Sequence, residues 1–177
     1  MHRRRLIGLL EDYGRGHPAE TAVVGRFLAF VREHERCFER DCFPGHVTGS
    51  AWLVNGAGTH VLLTHHKKLD RWLQLGGHAD GEADPLLAAM REAEEESGLV
   101  VEPVGEAVFD VDIHEIPARG RDPVHLHYDV RFALRCRGSE AFRVSDESHD
   151  LAWVPVADLS DYTREESVLR MARKWAG

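Results

Sequence analysis

A chain of 177 residues with 43% hydrophobic and 29% charged side chains has the size and composition of one sizeable globular domain, which excludes fibrous and wholly disordered classes. The net charge of −8 argues against a nucleic-acid polymer as partner, because the phosphate backbone attracts basic surfaces; a small phosphorylated substrate stays admissible where metal ions supply the positive charge. No run approaches the roughly 20 apolar residues of a membrane span, the apolar stretch 6–10 is too short for a signal sequence, and 3 cysteines without a C-x-x-C pair suit a reducing compartment, so the expected location is cytoplasmic.

In chain order, residues 3–13 and 19–34 read as helices, the second with Val23, Phe27, Phe30 and Val31 at helical spacing behind Pro18. They define an N-terminal helical extension, residues 1–45, a candidate for homodimerisation or for roofing a cleft. Cys37, Cys42 and His46 form a C-x4-C-x3-H run that matches no common zinc module, and buried thiols are the preferred reading. From residue 46 the texture changes: HVTGSAWLVN, the turn NGAGT and HVLLTHH predict a hairpin rich in Val, Leu and Thr. RWLQLGGHADGEADP predicts a short strand that runs into a glycine-bearing loop. Asp84 suits an N-cap, Pro85 the first helical position and Gly98 the C-cap, which places a helix over 84–97. EAVFDVDIHEI and PVHLHYDVRFALR alternate like two long strands joined through PARGRDP; DLAWVPVADL gives one more strand and EESVLRMARKW a terminal helix.

The helix over 84–97 crowds Glu92, Glu94, Glu95 and Glu96 together. Advancing about 100° per residue, Leu86, Met90, Ala93 and Ser97 share one side, flanked by Leu87 and Ala89, and this side is expected to pack on a sheet. Glu92, Glu95 and Glu96 fall on the opposite side with Ala88, whose small side chain leaves room above the carboxylates. Arg91 reaches Glu95 one turn on. Helix geometry alone accommodates a merely solvated acidic face, so the neighbouring sequence decides.

GGHADGEADPLLAAMREAEEESGL resembles the Nudix box: Gly, five residues, Glu, seven residues, then Arg-Glu-apolar-any-Glu-Glu-any-Gly-apolar. The second half, Arg91-Glu92-Ala93-Glu94-Glu95-Glu96-Ser97-Gly98-Leu99, matches at every position. The first half departs by one residue. Starting from Gly77 puts Ala83 in the glutamate position; starting from Gly76 restores Glu82 but leaves eight residues before Arg91, and this second alignment is preferred. The resemblance covers roughly residues 46–159. It implies an α/β/α sandwich around a mixed β-sheet, with the hydrolase domain over 46–177. It also implies hydrolysis of a diphosphate linkage in a nucleoside diphosphate joined to another moiety, on a small-molecule nucleotide or other diphosphate substrate.

By the same resemblance, Glu92, Glu95 and Glu96 hold Mg²⁺ or Mn²⁺ with the Gly76 carbonyl as a further ligand, or one glutamate acts as base, while Arg91 orients a glutamate. Hard divalent ions take oxygen ligands, which agrees. A further catalytic carboxylate is sought in the loop before the last strand, where Glu147 competes with Asp146 and Asp150.

Alternation also places His125, His127, Asp129 and Arg131 on one strand face and Asp110, Asp112 and His114 on another. With these faces aligned they form a patch for metal or phosphate, with Arg131 the preferred phosphate contact; solvent exposure accounts for the pattern equally well. His78, beside the glycine loop, is a second candidate for substrate binding. Two other functions stay open: an isopentenyl-diphosphate isomerase-like enzyme, which would need a cysteine acid, and a nucleotide-binding regulator without turnover.

Overall fold

The computed structural model describes residues 2–67, 69–146 and 148–177. Two helices, α1 (Arg4–Gly16) and α2 (Thr21–Glu33), open the chain. They precede β1 (Gly45–Val54), β2 (His60–His66), β3 (Arg71–His78) and helix α3 (Pro85–Ser97). After α3 come β4 (Val101–Pro103), β5 (Asp110–Ile116), β6 (His125–Cys136), β7 (Ser148–Pro155), the short α4 (Leu159–Tyr162) and α5 (Glu166–Ala176). The 7 strands form one sheet in the order β4-β6-β1-β3-β2-β7, with β5 also pairing to β6. β1 runs parallel to β6 and the other pairs are antiparallel, so the sheet is mixed.

Strand alternation sends successive residues of β1 to opposite faces. Val47, Ala51 and Leu53 join α3, α2 and α1 in the main apolar core, whereas Trp52 and Val54 pack with Val168 and Met171 of α5. The result is the α/β/α sandwich. The N-terminal helices contribute Leu6, Leu10, Phe27 and Val31 to the main core, and Phe30 stacks on Tyr128 of β6 with ring centroids 3.8 Å apart. No described helix is long and apolar enough to cross a membrane.

Three details differ from the sequence reading: the first is that β1 and β2 pair only at Val54 and Val61, with β3 lying between them, so the expected hairpin is not a continuous ladder. DLAWVPVADL is not one strand, because β7 stops at Pro155, which lacks an N–H for the ladder, and Val156–Asp158 coils into a 3-10 turn. β4 spans only 3 residues, too few for periodicity to reveal.

The β5–β6 ladder aligns Asp110 with Arg131, Asp112 with Asp129 and His114 with His127, so the two polar faces do meet. Arg131 is only 1% exposed there. Its Nε donates to Asp129 at 2.7 Å, Nη1 to Asp110 at 3.0 Å and Nη2 to Asp112 at 3.3 Å. From α5, Arg170 and Lys174 add hydrogen bonds to Asp110 at 2.7 and 2.6 Å. Buried charges persist only when paired, and here three cations meet three carboxylates. Burial alone would raise the Asp112 carboxyl, but its His114 hydrogen bond and the Arg131 charge prevail and hold it at about 2.

α3 lies against β1 where Gly49 has no side chain: a Cβ there would sit 2.9 Å from the Pro85 carbonyl oxygen and 2.9 Å from the Ala89 nitrogen.

Gly49→Ala is therefore expected to lower stability by about 1–3 kcal/mol in urea unfolding, as overpacking against backbone does. Gly105→Ala, with open space around its Cβ, should change it by no more than about 0.5 kcal/mol. Asp112, whose folded value lies below the ordinary 3.8, contributes stability that is complete above that pH and is lost as the pH falls from 3.8 through about 2. Asp112→Asn should lower the urea midpoint at neutral pH and flatten its decline across that acid window.

Candidate active site

The acidic helix forms where its caps dictate. Asp84 accepts a hydrogen bond from the Leu86 N–H at 3.1 Å, Pro85 begins the helix, and Gly98 ends it at φ 69° with its N–H on the Glu94 carbonyl at 2.8 Å. Arg5 of α1 reaches the Asp84 carboxylate at 2.9 Å, which ties the N-terminal helices to the start of α3.

α3 buries Leu86, Ala89, Ala93 and Ser97 of the expected face, but its buried surface extends further round the helix than expected. Leu87 is 51% exposed, and the edge Ala88, Glu92, Glu96 turns toward the sheet. The cause is the sheet's surface: Gly49 and Gly77 are paired across β1 and β3, and neither holds the helix away. Ala88 fits against Gly49, and the Glu92 carboxylate occupies the place that a Gly77 side chain would fill. Glu96 is buried, whereas the Glu95 side chain is 62% exposed. The glutamates thus run from a crease beside β3 out to solvent.

Arg91 secures this edge. Its Nη1 donates to Glu92 at 2.7 Å and to Glu95 at 3.4 Å, and its Nη2 donates to the His78 carbonyl at 2.8 Å. Burial pushes the Glu92 carboxyl up, although the Arg91 charge and hydrogen bond oppose that rise. A carboxylate in this position gains from an additional cation. The donor set, oxygen atoms on a helix edge with the cradle at Gly77 behind them, fits a hard divalent ion. Gly76, at φ 151°, is held against Ser50 so closely that a Cβ would meet the Ser50 Cα at 2.7 Å, and only glycine fits there. Glu82, the box glutamate of the preferred alignment, accepts from the Asp84 N–H at 2.9 Å and so braces the loop.

Other expected residues are placed as follows. His78 ends β3, with its carbonyl on Arg91 and its ring toward His46 and His127. Glu147 lies outside the described residues. Of its competitors, Asp146 takes Lys67 Nζ on its carbonyl at 2.8 Å, and Asp150 accepts from the Leu151 N–H at 2.8 Å. Arg131 does not present its guanidinium for a phosphate, because burial and three aspartates already claim its donors. It orders the polar face from beneath, together with Thr48 and Ser50, which donate to Asp129 at 2.8 Å each.

The sequence reading set His125 and His127 on a candidate metal- or phosphate-binding face but did not bring His46 to it. His46, His125 and His127 are the one trio of metal-ligand residues among the described residues whose ligating atoms all lie within 4.8 Å of one another. The α3 glutamates are not gathered this closely. Cys37 and Cys42, the sequence neighbours of His46, are free and buried, with the Cys37 thiol pushed up to about 12 by burial. The available signal was the alternation His46, Thr48, Ser50 along β1, which matches that of β6.

Comparison with known proteins agrees with this architecture. The model of the NUDIX domain matches residues 45–174. Among solved structures, an Ap4A hydrolase from C. elegans in a binary complex superposes with a TM-score of 0.59 at 17% identity, covering 73% of this chain and 94% of that one. A NUDIX-family hydrolase from Clostridium perfringens gives 0.53 at 26% identity, covering 74% and 96%. A MutT protein from Methanosarcina mazei gives 0.58 at 16% identity, covering 73% and 91%. No curated protein sequence matches the chain. With the domain matched over most of the chain and the complete second half of the box lying on α3 against the sheet, the chain belongs to the NUDIX family, hydrolases of phosphorus-containing acid anhydrides.

Proposed function

We propose that this chain hydrolyses a diphosphate linkage in a small nucleoside diphosphate joined to another moiety, with Mg²⁺ or Mn²⁺ as cofactor. The observation that carries the reading is the α3 edge: Glu92 against Gly77 of β3, Glu96 buried one turn on, Glu95 beside them, and Arg91 holding the arrangement to the His78 carbonyl. Glu92, Glu95 and Glu96, with the Gly76 carbonyl, would hold the ion. When bound, such an ion neutralises the diphosphate and lowers the pKa of water at the site.

The chain's own residues supply the rest. Arg91 acts as a positioning residue, since its forked donors fix two carboxylates and a backbone carbonyl at once. Gly76 and Gly77 keep β3 free of side chains, so a substrate's phosphates meet backbone and carboxylate. His78, whose ring turns to His46 and His127 on the opposite face, contributes to this edge through its carbonyl on Arg91. The isomerase reading lacks its acid: all three cysteines are buried, and Cys136 is bonded to the Ser139 carbonyl.

Glu95→Gln and Glu96→Gln are each expected to lower turnover about 100-fold or more, with far-UV circular dichroism unchanged, because each removes a charge needed to hold the cation. The measurement is release of phosphate-containing products from a panel of nucleoside diphosphate derivatives with Mg²⁺ and with Mn²⁺. Binding without cleavage by the unaltered chain would support the regulator instead. Arg91→Lys keeps the charge and loses the fork, so kcat on the best substrate of that panel should fall on the order of 10-fold with KM little changed. An equal loss confined to KM would show that Arg91 contacts substrate.

A further inference from the structure

Beyond the Arg131 network, the polar face of the sheet ends in a group of imidazoles from four strands. The parallel β1–β6 register sets His46 opposite His127, and His125 lies two residues back on the same face. The β5–β6 ladder puts His114 on the other side of His127. The rings of His46 and His125 are 4.9 Å apart, those of His46 and His127 4.9 Å, and those of His125 and His127 5.5 Å. His78 and His114 border the trio, 5.0 Å from His46 and 5.4 Å from His127.

Packing alone accounts poorly for this group. His46 is 2% exposed, and neither of its ring nitrogens makes a well-formed hydrogen bond, a weak approach to the Cys42 backbone aside. Nε2 of His127 is likewise buried without a partner. Buried nitrogens left unsatisfied are costly, and three imidazole nitrogens within 4.8 Å of one another offer a donor set for a cation. His125 Nδ1 lies 2.8 Å from the Pro123 carbonyl, so it must donate, which fixes Nε2 as the lone-pair nitrogen.

We propose that His46, His125 and His127 form a second, all-nitrogen metal site that takes a zinc-class divalent ion, with a fourth position left for water or an anionic ligand. The separation of at most 4.8 Å between donor atoms closes to the roughly 3.3 Å of a tetrahedral zinc site, with bonds of about 2.0–2.1 Å, when each ring moves inward by less than about 1 Å. Imidazole selects zinc and its borderline neighbours over Mg²⁺ and Mn²⁺, which take oxygen. The site is therefore separate in ligand chemistry from the glutamate edge, and it stands whether or not the proposed hydrolysis is correct.

The test uses full-length protein purified without a histidine tag, stripped with chelator and titrated with Zn²⁺, with bound metal quantified by mass spectrometry after gel filtration. His46→Gln, His127→Gln and the triple variant Glu92→Gln/Glu95→Gln/Glu96→Gln are titrated beside it. One zinc per chain is expected in the unaltered protein and in the glutamine triple variant, with affinity weakened at least about 10-fold in each histidine variant. X-ray absorption of the unaltered protein at one equivalent of zinc should show three imidazole ligands, a readout that holds even where a variant fails to fold. Absence of bound zinc, an oxygen-only shell, or equal retention by the histidine variants would overturn the proposal.

Discussion

Everything about the acidic edge depends on how closely α3 approaches the sheet, and that distance is set by two glycines on two strands. Gly49 and Gly77 are cross-strand partners, so together they make a patch of bare backbone wide enough for a helix to settle into. Ala88 and Ala89, both fully buried, complete the contact from the other side. Once the helix is seated there, the Glu92 carboxylate is forced into the crease, and burial begins to favour its protonated form. Arg91 answers that cost locally, by charge and by hydrogen bond. A larger residue at either glycine would lift the helix and turn the glutamates back into an ordinary solvated face.

The opposite face of β1, β5 and β6 meets a similar difficulty with other means. A buried guanidinium costs several kcal/mol unless its donors are all used and its charge is matched. Arg131 satisfies both conditions because three strand positions of the right parity carry Asp110, Asp112 and Asp129, and because α5 brings Arg170 and Lys174 to the same carboxylates. Asp112 also accepts from His114 at 3.3 Å, so it joins the ion network to the imidazole cluster. The polar face thus carries matched anionic and cationic groups at one end and a gathering of imidazole rings at the other.

Much of this was legible in the sequence, and the part that was not has a common physical cause. Asp84, Pro85 and Gly98 fixed α3 through purely local bonds, and the alternation in β5 and β6 correctly told which residues share a face. Periodicity, however, ranks side chains around an axis and carries no information on depth. That Ala88, Glu92 and Glu96 face inward depends on Gly49 and Gly77, which are distant in sequence. The phosphate-contact reading of Arg131 fails for the same reason: alternation places it on a polar face with Asp129 but does not show that it is buried there with its donors taken by Asp110, Asp112 and Asp129. His46 was weighed with Cys37 and Cys42 because they are its sequence neighbours, whereas its spatial neighbours enter through a parallel pairing across about half the chain.

Three consecutive residues of β3 address both faces. Gly77 looks toward Glu92, while Gly76 and His78, one step to either side, look toward Ser50 and His46 on the other face. A strand can do this only because its side chains alternate. The His78 carbonyl is in turn held by the same guanidinium that holds Glu92 and Glu95. Oxygen donors on one side of β3 and nitrogen donors on the other remain chemically distinct, yet a single arginine connects their geometries.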